Sequence, residues 1–207
     1  MTERLVLHEY SASGNCYKVR LTAALVGNNL DRREYDIMKG ETRSADFLAN
    51  VNANGRIPVL QVGDRFLPES NAACFWLADG TQLVPHDRFE RADMLRWMFF
   101  EQYNHEPNVA TLRFWMKWIG ADNLTDAQRM LIPAKQEAGR AALTLMDEHL
   151  AAHDWLAGQD LSLADICLYA YTHVAEEGGL FALADYPAVL RWIARIEAEP
   201  GHIAMET

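Results

Sequence analysis

Cysteine is scarce in this 207-residue chain, and what there is cannot work together. Cys16, Cys74 and Cys167 are odd in number, far apart and match no metal-ligand spacing. That argues against a disulfide framework or a cysteine-held metal and suits free thiols in a reducing compartment. Long apolar runs are also missing: nothing approaches the roughly 18 residues a membrane span needs. Met1-Thr2-Glu3-Arg4 runs straight into a strand-like stretch without the apolar core of a signal peptide, so a cytoplasmic protein is expected. Excess positive charge is absent as well. The 19 Lys and Arg against 29 Asp and Glu give a net −10, which would repel nucleic-acid phosphates. There are no internal repeats or low-complexity tracts. With 50% apolar and 23% charged residues, the composition is that of an ordinary globular protein with length enough for one large core or two modest ones.

The charge is unevenly spread. Residues 1–80 carry 9 Lys and Arg against 10 Asp and Glu, whereas residues 81–207 carry 10 against 19. The nearly neutral first part is the better host for an anionic ligand. It also alternates short strand-like and helix-like segments. Arg4–His8 reads as a strand, and Cys16–Val26 as a helix with Val19, Ala23 and Val26 at helical spacing and Gly27 to close it. Glu34–Ile37 reads as a second strand, and Ser44 can cap a helix bearing Phe47, Leu48 and Val51. Pro58–Val62 and Arg65–Leu67 form a hairpin about Gly63-Asp64, and a last helix runs from about Glu69 to Asp79. The order βαβ-α-ββα predicts a thioredoxin-like α/β domain over 1–80, with a right-handed crossover. Residues 81–87 read as a linker and 88–207 as an all-α domain. In that second domain Pro107 should break or kink the first helical stretch. Thr125-Asp126-Ala127-Gln128 is a capping box for a helix reaching about His153, bent or delayed by Pro133. Ser162-Leu163-Ala164-Asp165 opens a helix ending at Gly178-Gly179. Pro187 starts the last one, with Leu190, Ile193 and Ile196 on its buried stripe.

The chemistry-bearing residues sit at the junctions. Ser13-Gly14-Asn15-Cys16-Tyr17-Lys18-Val19-Arg20 begins where Leu5-Val6-Leu7 gives way to a helix. Serine is a favoured cap anywhere. Its hydroxyl here also faces unpaired N–H groups and the positive end of a helix dipole, a place that holds a thiolate or other small anion. Serine is too weak an acid to serve as the base; it can only stabilise the anion. The same four residues have Cys-x-x-Cys spacing with serine in the nucleophile's place, so no dithiol cycle runs there and Cys16 reads as a packed thiol. Ile57-Pro58 is either a plain strand-initiating pair or a cis bond that exposes Ile57's backbone to an extended peptide. Glu69-Ser70 is either an ordinary acidic helix start or a match for an amino-acid end, Ser70 taking the carboxylate and Glu69 the ammonium. Arg43 and Arg56 could hold a second carboxylate. Trp97, Met98, Phe99, Phe100, Tyr103, Phe114, Trp115 and Trp118 cover too much helix circumference for one buried face, so some should line a pocket or a subunit interface. His105 has no partner at metal spacing and reads as packing or a substrate contact.

Across essentially its whole length the chain resembles the cytosolic glutathione transferases, in particular bacterial members with the Ser13–Arg20 motif in a serine-type grouping. The resemblance puts the catalytic hydroxyl on Ser13, six residues before Val19, with Ser11 as runner-up. It puts the cis-proline on Pro58, the backbone partner of the ligand's cysteine on Ile57, the γ-glutamyl pair on Glu69 and Ser70, and a further polar contact on Arg56. Ser162 and Asp165 match the family's folding-related capping motif and read as structural. Thr42 stands where many relatives carry histidine, so Arg43 or Arg56 would take over the glycyl carboxylate; Ala53 replaces a common proline.

The resemblance implies a homodimer that uses glutathione as co-substrate and no metal. The ligand would lie along Pro58 and Glu69-Ser70 with its thiolate at Ser13. A small hydrophobic electrophile would sit among Ser11, Tyr103 and Phe114. Two other activities occur within the same family: glutathione-dependent disulfide reduction, and binding of apolar ligands or a protein partner without catalysis.

Overall fold

The four strands of the first unit pair in the order β2-β1-β3-β4. The computed structural model describes residues 4–205; the leader-free start read from Met1-Thr2-Glu3 lies outside the described residues. β1 (Leu5–Glu9), α1 (Gly14–Leu25), β2 (Asp31–Glu34), α2 (Ala45–Asn50), β3 (Val59–Val62), β4 (Arg65–Pro68) and α3 (Ser70–Ala78) follow one another along the chain. β1 runs parallel to β2 and antiparallel to β3, and β3 to β4 is a hairpin, which makes the mixed sheet of a thioredoxin-like domain. Leu7 stands opposite Arg32 on one side and Leu60 on the other. Leu7, Leu60 and Val59 are fully buried in the sheet, as are Cys16, Val19 and Leu21 of α1 and Cys74 of α3.

β2 begins three residues before the expected Glu34–Ile37 and ends where that was to start; Ile37 opens a 3-10 turn instead. The reason is its place at the edge. All four β2 residues are exposed, so the strand Asp-Arg-Arg-Glu carries no apolar alternation to be recognised by. Local signals did hold elsewhere. Ser44 Oγ accepts the Phe47 N–H at 3.2 Å at the start of α2, and Gly63 has the positive φ of 57° that the hairpin turn requires.

The chain divides between Val84 and Pro85, and the described residues from Pro200 onward belong with the first unit. Tyr17 explains that return: its hydroxyl donates to the Ile203 carbonyl at 2.7 Å.

The second unit, Pro85–Glu199, is all helix and turn. Its Asp87 caps α4 (Arg88–Phe100) through the Phe89 and Glu90 N–H groups at 2.8 and 3.0 Å. A π-helical turn, Glu101–His105, leads directly into α5 (Glu106–Phe114), and a second, Trp115–Ile119, follows it. The helical run does not end at Pro107, but its regular α pattern is interrupted by the π turn just before it, and Pro107 stands in the first turn of α5. A proline lacks its N–H and crowds the carbonyl four residues back, and the wider π turn just before it relieves both. Thr125 and Gln128 form the expected box at the start of α6 (Asp126–Leu150), which carries Pro133 in its interior.

α7 (Leu163–Thr172) stops short of Gly178-Gly179, the remaining residues turning into a 3-10 segment, Ala175–Gly178. In α8 (Pro187–Glu197) the buried stripe is Val189, Trp192, Ile193 and Ile196, and Leu190 is exposed at 41%. Leu190 sits one helical step off the Val189–Ile193–Ile196 line, so it turns away from the core. Asp165 is the unit's buried acid. It accepts the Ser162 N–H and hydroxyl, each at 3.0 Å, and the Leu156 N–H and Trp192 Nε1–H, each at 2.9 Å.

Candidate functional site

Two helix N-termini meet in the first unit. Ser13, with extended backbone, is the N-cap of α1, and its oxygen accepts the Cys16 N–H at 3.4 Å. That is longer than an ordinary N–H···O bond, so the half-buried hydroxyl is only lightly held by its own helix. Ser70 opens α3, and its Oγ donates to Asn15 Oδ1 on α1 at 3.1 Å. One turn further on, the fully buried Lys18 donates from Nζ to Asn71 Oδ1 on α3 at 3.0 Å. These side-chain bonds tie the start of α1 to the start of α3. The first-turn N–H groups and positive dipole ends of both helices then act at one place, which favours bound anions.

Cys16 is enclosed beside Ser13. Burial pushes its thiol up to about 12, against the smaller opposing effects of the Tyr10 N–H and the Ser13 hydroxyl. It stays protonated at neutral pH and is a packed thiol, not a nucleophile. Any thiolate chemistry at this place needs a thiol brought by the ligand.

Ile57–Pro58 is cis, as expected, and lies immediately before β3. Glu69 has φ 72° and ψ 113°, the one non-glycine positive φ among the described residues. Such backbone costs about 1–3 kcal/mol and is characteristic of ligand clamps. Glu69 is exposed, and Ser70 beside it is 7% exposed.

The two arginines have different tasks. Arg43 donates from Nη1 to the Asn54 carbonyl at 3.0 Å and lies over Gly55, where a Cβ would come within 2.6 Å of Nη1. It braces the Asn54-Gly55 turn through one of its N–H groups, and both Arg43 and Arg56 are exposed. Thr42 is buried at 5% exposure. Ser11, the runner-up hydroxyl, donates to Glu34 Oε1 at 3.0 Å.

In the helical unit, Tyr103 is 80% exposed within the first π turn and Phe114, at the end of α5, stacks on Trp118 with centroids 6.3 Å apart. Trp97 and Met98 are buried and Phe99 is exposed. His105 is buried and bonds through Nε2 to the Thr172 hydroxyl at 2.9 Å, which accounts for it as packing. Asn15 is the residue that sequence reasoning passed over. It lay inside the quoted motif, but nothing local indicates a partner 55 residues away. Among the described residues, no group of three or more His, Cys, Asp or Glu is arranged to hold a metal ion.

Comparison with known proteins shows the family. The family model described as "Glutathione S-transferase, N-terminal domain" matches residues 5–79, and "Glutathione S-transferase, C-terminal domain" matches residues 110–200. A crystal structure of a possible glutathione S-transferase from Rhodopseudomonas palustris is 43% identical, with a TM-score of 0.91 over 98% of this chain and 90% of that one. The glutathione S-transferase from Pseudomonas fluorescens is 40% identical, also with a TM-score of 0.91, over 97% and 98% of the two chains. Glutathione S-transferase 2 of Anopheles gambiae is 30% identical over 195 residues, covering 91% of this chain and 88% of that protein. The chain belongs to the glutathione transferase family, whose co-substrate is glutathione.

Proposed function

We propose that this protein is a serine-type transferase that conjugates the glutathione thiolate to a small hydrophobic electrophile. The observation carrying the reading is the 3.1 Å bond from Ser70 Oγ to Asn15 Oδ1, which joins the Ser13 and Glu69-Ser70 helix starts. In this reading the Ser70 hydroxyl turns from Asn15 to the γ-glutamyl carboxylate when the ligand binds, beside the first N–H groups of α3, and Glu69 takes the ammonium. Ile57, held beside Pro58, pairs its backbone with the cysteinyl unit, and Arg56 meets the glycyl end. Ser13 donates to the thiolate. A charge-assisted hydrogen bond worth about 1.5–3 kcal/mol lowers a thiol pKa by one to two units from about 8.5, so much of the bound thiol is ionised near neutral pH. Tyr103 and Phe114 are the aromatic candidates for holding the acceptor, with Ser11 close in sequence to the activated thiolate. Rate would come from that thiolate and from proximity.

The protein is further proposed to act in the cytoplasm as a homodimer. Exposed Phe99, among the aromatics of residues 97–118, supports burial by a second copy. Light scattering at micromolar concentration is expected to give twice 23.5 kDa, and a strict monomer would end that part of the reading.

Glutathione-dependent disulfide reduction is the second reading. The buried, protonated Cys16 bears on it, because the reducing thiols would all have to come from glutathione. Retention on immobilised glutathione, followed by assays with an aryl halide and with a small disulfide, separates the readings. Retention with aryl-halide turnover supports conjugation. Turnover of the disulfide alone supports reduction. Retention without either marks a binding protein, and no retention removes the proposed ligand.

A further inference from the structure

We propose that Arg20 is a positioning residue for Ser13, acting through Ser11; this rests on the reading of Ser13 as the thiolate's hydrogen-bond donor. The loop from the end of β1 to the start of α1 is only Tyr10–Ser13, and charged side chains hold its Ser11 by every polar group it has. Arg20 Nη2 on α1 donates to the Ser11 carbonyl at 2.9 Å. Glu34 Oε1, at the end of β2, accepts the Ser11 N–H at 2.7 Å and its hydroxyl at 3.0 Å. The loop is thus gripped from the helix and from the sheet edge together.

Arg20 is itself fixed. Its Nη1 pairs with one oxygen of Glu9, and Arg32 Nε pairs with the other. Glu9 is fully buried and the Arg20 side chain is 5% exposed. A buried ion pair is costly, and an apolar pair of the same volume commonly packs as well or better. What an apolar pair cannot supply is direction. A guanidinium is a rigid planar fork that fixes one arm on Glu9 and the other on Ser11, whereas an ammonium, with three rotatable donors on a flexible stem, sets no such fixed direction. Ser13 is two residues away, its N–H donating to the Tyr10 carbonyl at 2.9 Å within the same turn. Because its own cap bond is long at 3.4 Å, the backbone of this turn sets where its hydroxyl points.

The test is Arg20→Lys, which keeps the charge but loses the fork, beside Glu34→Ala on the exposed side of the same loop. In the complex with glutathione, thiolate absorbance against pH should shift upward by about one unit in Arg20→Lys, with kcat near neutral pH falling about tenfold. KM for glutathione should change by less than about threefold, since the residues proposed to bind its ends are untouched. Glu34→Ala should move the titration the same way by a smaller step. A folded Arg20→Lys with unchanged titration and kcat overturns the proposal, as does a rise in KM with kcat intact. If Arg20→Lys fails to fold, Glu34→Ala decides, and an unmoved titration in that variant is the negative result. A wild-type protein that shows no thiolate with glutathione fails at the Ser13 reading itself. Unaffected variants beside a titrating wild type defeat this proposal alone.

Discussion

Replacing Ser13 with alanine separates its two roles, because the structure gives them different sizes. As a cap, Ser13 accepts the Cys16 N–H at 3.4 Å, a long bond. Loss of that cap should cost at the low end of the usual range, about 0.5 kcal/mol of stability. As a donor to a thiolate in the same place, the hydroxyl is worth about 1.5–3 kcal/mol. Ser13→Ala should therefore melt within a few degrees of the wild type while the bound thiol's pKa rises by one to two units. Turnover near neutral pH should fall about 10- to 150-fold with glutathione affinity nearly intact. Thiolate absorbance of the complex against pH, with conjugation rates on the same preparations, reads both effects. Ser11→Ala is the control: its hydroxyl is engaged by Glu34, and the Ser11 N–H still reaches the same carboxylate oxygen. If Ser13→Ala loses stability but leaves the titration unmoved, Ser13 is only a cap. If Ser11→Ala alone shifts the titration, the wrong hydroxyl has been assigned.

Ser70→Ala removes the hydroxyl that bonds Asn15 in the free protein and is proposed to turn to the carboxylate, so calorimetry should find glutathione affinity weaker by about 1.5–3 kcal/mol; unchanged affinity in Ser70→Ala and in Glu69→Gln would misplace the site. Cys16, its thiol pushed up to about 12 by burial, should resist alkylation in the folded protein at neutral pH; rapid labelling traced by peptide mass would contradict that environment. Asp165→Ala strands four buried donors, on Leu156, Ser162 and Trp192, and should cost about 3–5 kcal/mol in denaturant unfolding, with a loss under 1 kcal/mol refuting the account. Burial lowers the His8 pKa, outweighing its bond to Gln61, so the unfolded chain takes up that proton first as pH falls. The His8 contribution to stability should be full above about pH 6.5 and decline below it, and His8→Gln should flatten that decline in thermal melts across the range.

The sequence by itself determined the parts that local chemistry controls. Ser13, Ser44 and Thr125-Gln128 are caps because a short side-chain oxygen satisfies N–H groups two or three residues on, and that partner is always nearby in the chain. The Gly63 turn and the succession of apolar segments in residues 4–80 were legible for the same reason, and the junction residues Ser13, Ile57-Pro58 and Glu69-Ser70 followed from them.

Tertiary structure decided what depends on partners far along the chain. β2 is a strand because β1 offers it hydrogen bonds, although none of its four residues is buried. Arg43 was indistinguishable from Arg56 until it was found over Gly55, where a side chain would collide with it. Asn15 gained its role from Ser70, and the chain beyond Pro200 returns to Tyr17 of the first unit. The clamp on Ser11 draws Glu9 and Glu34 from two strands and Arg20 from a helix. Capping and turn preferences act over a few residues and leave a mark in composition. Side-chain bonds between elements act through space, and only the packed fold determines which polar groups meet.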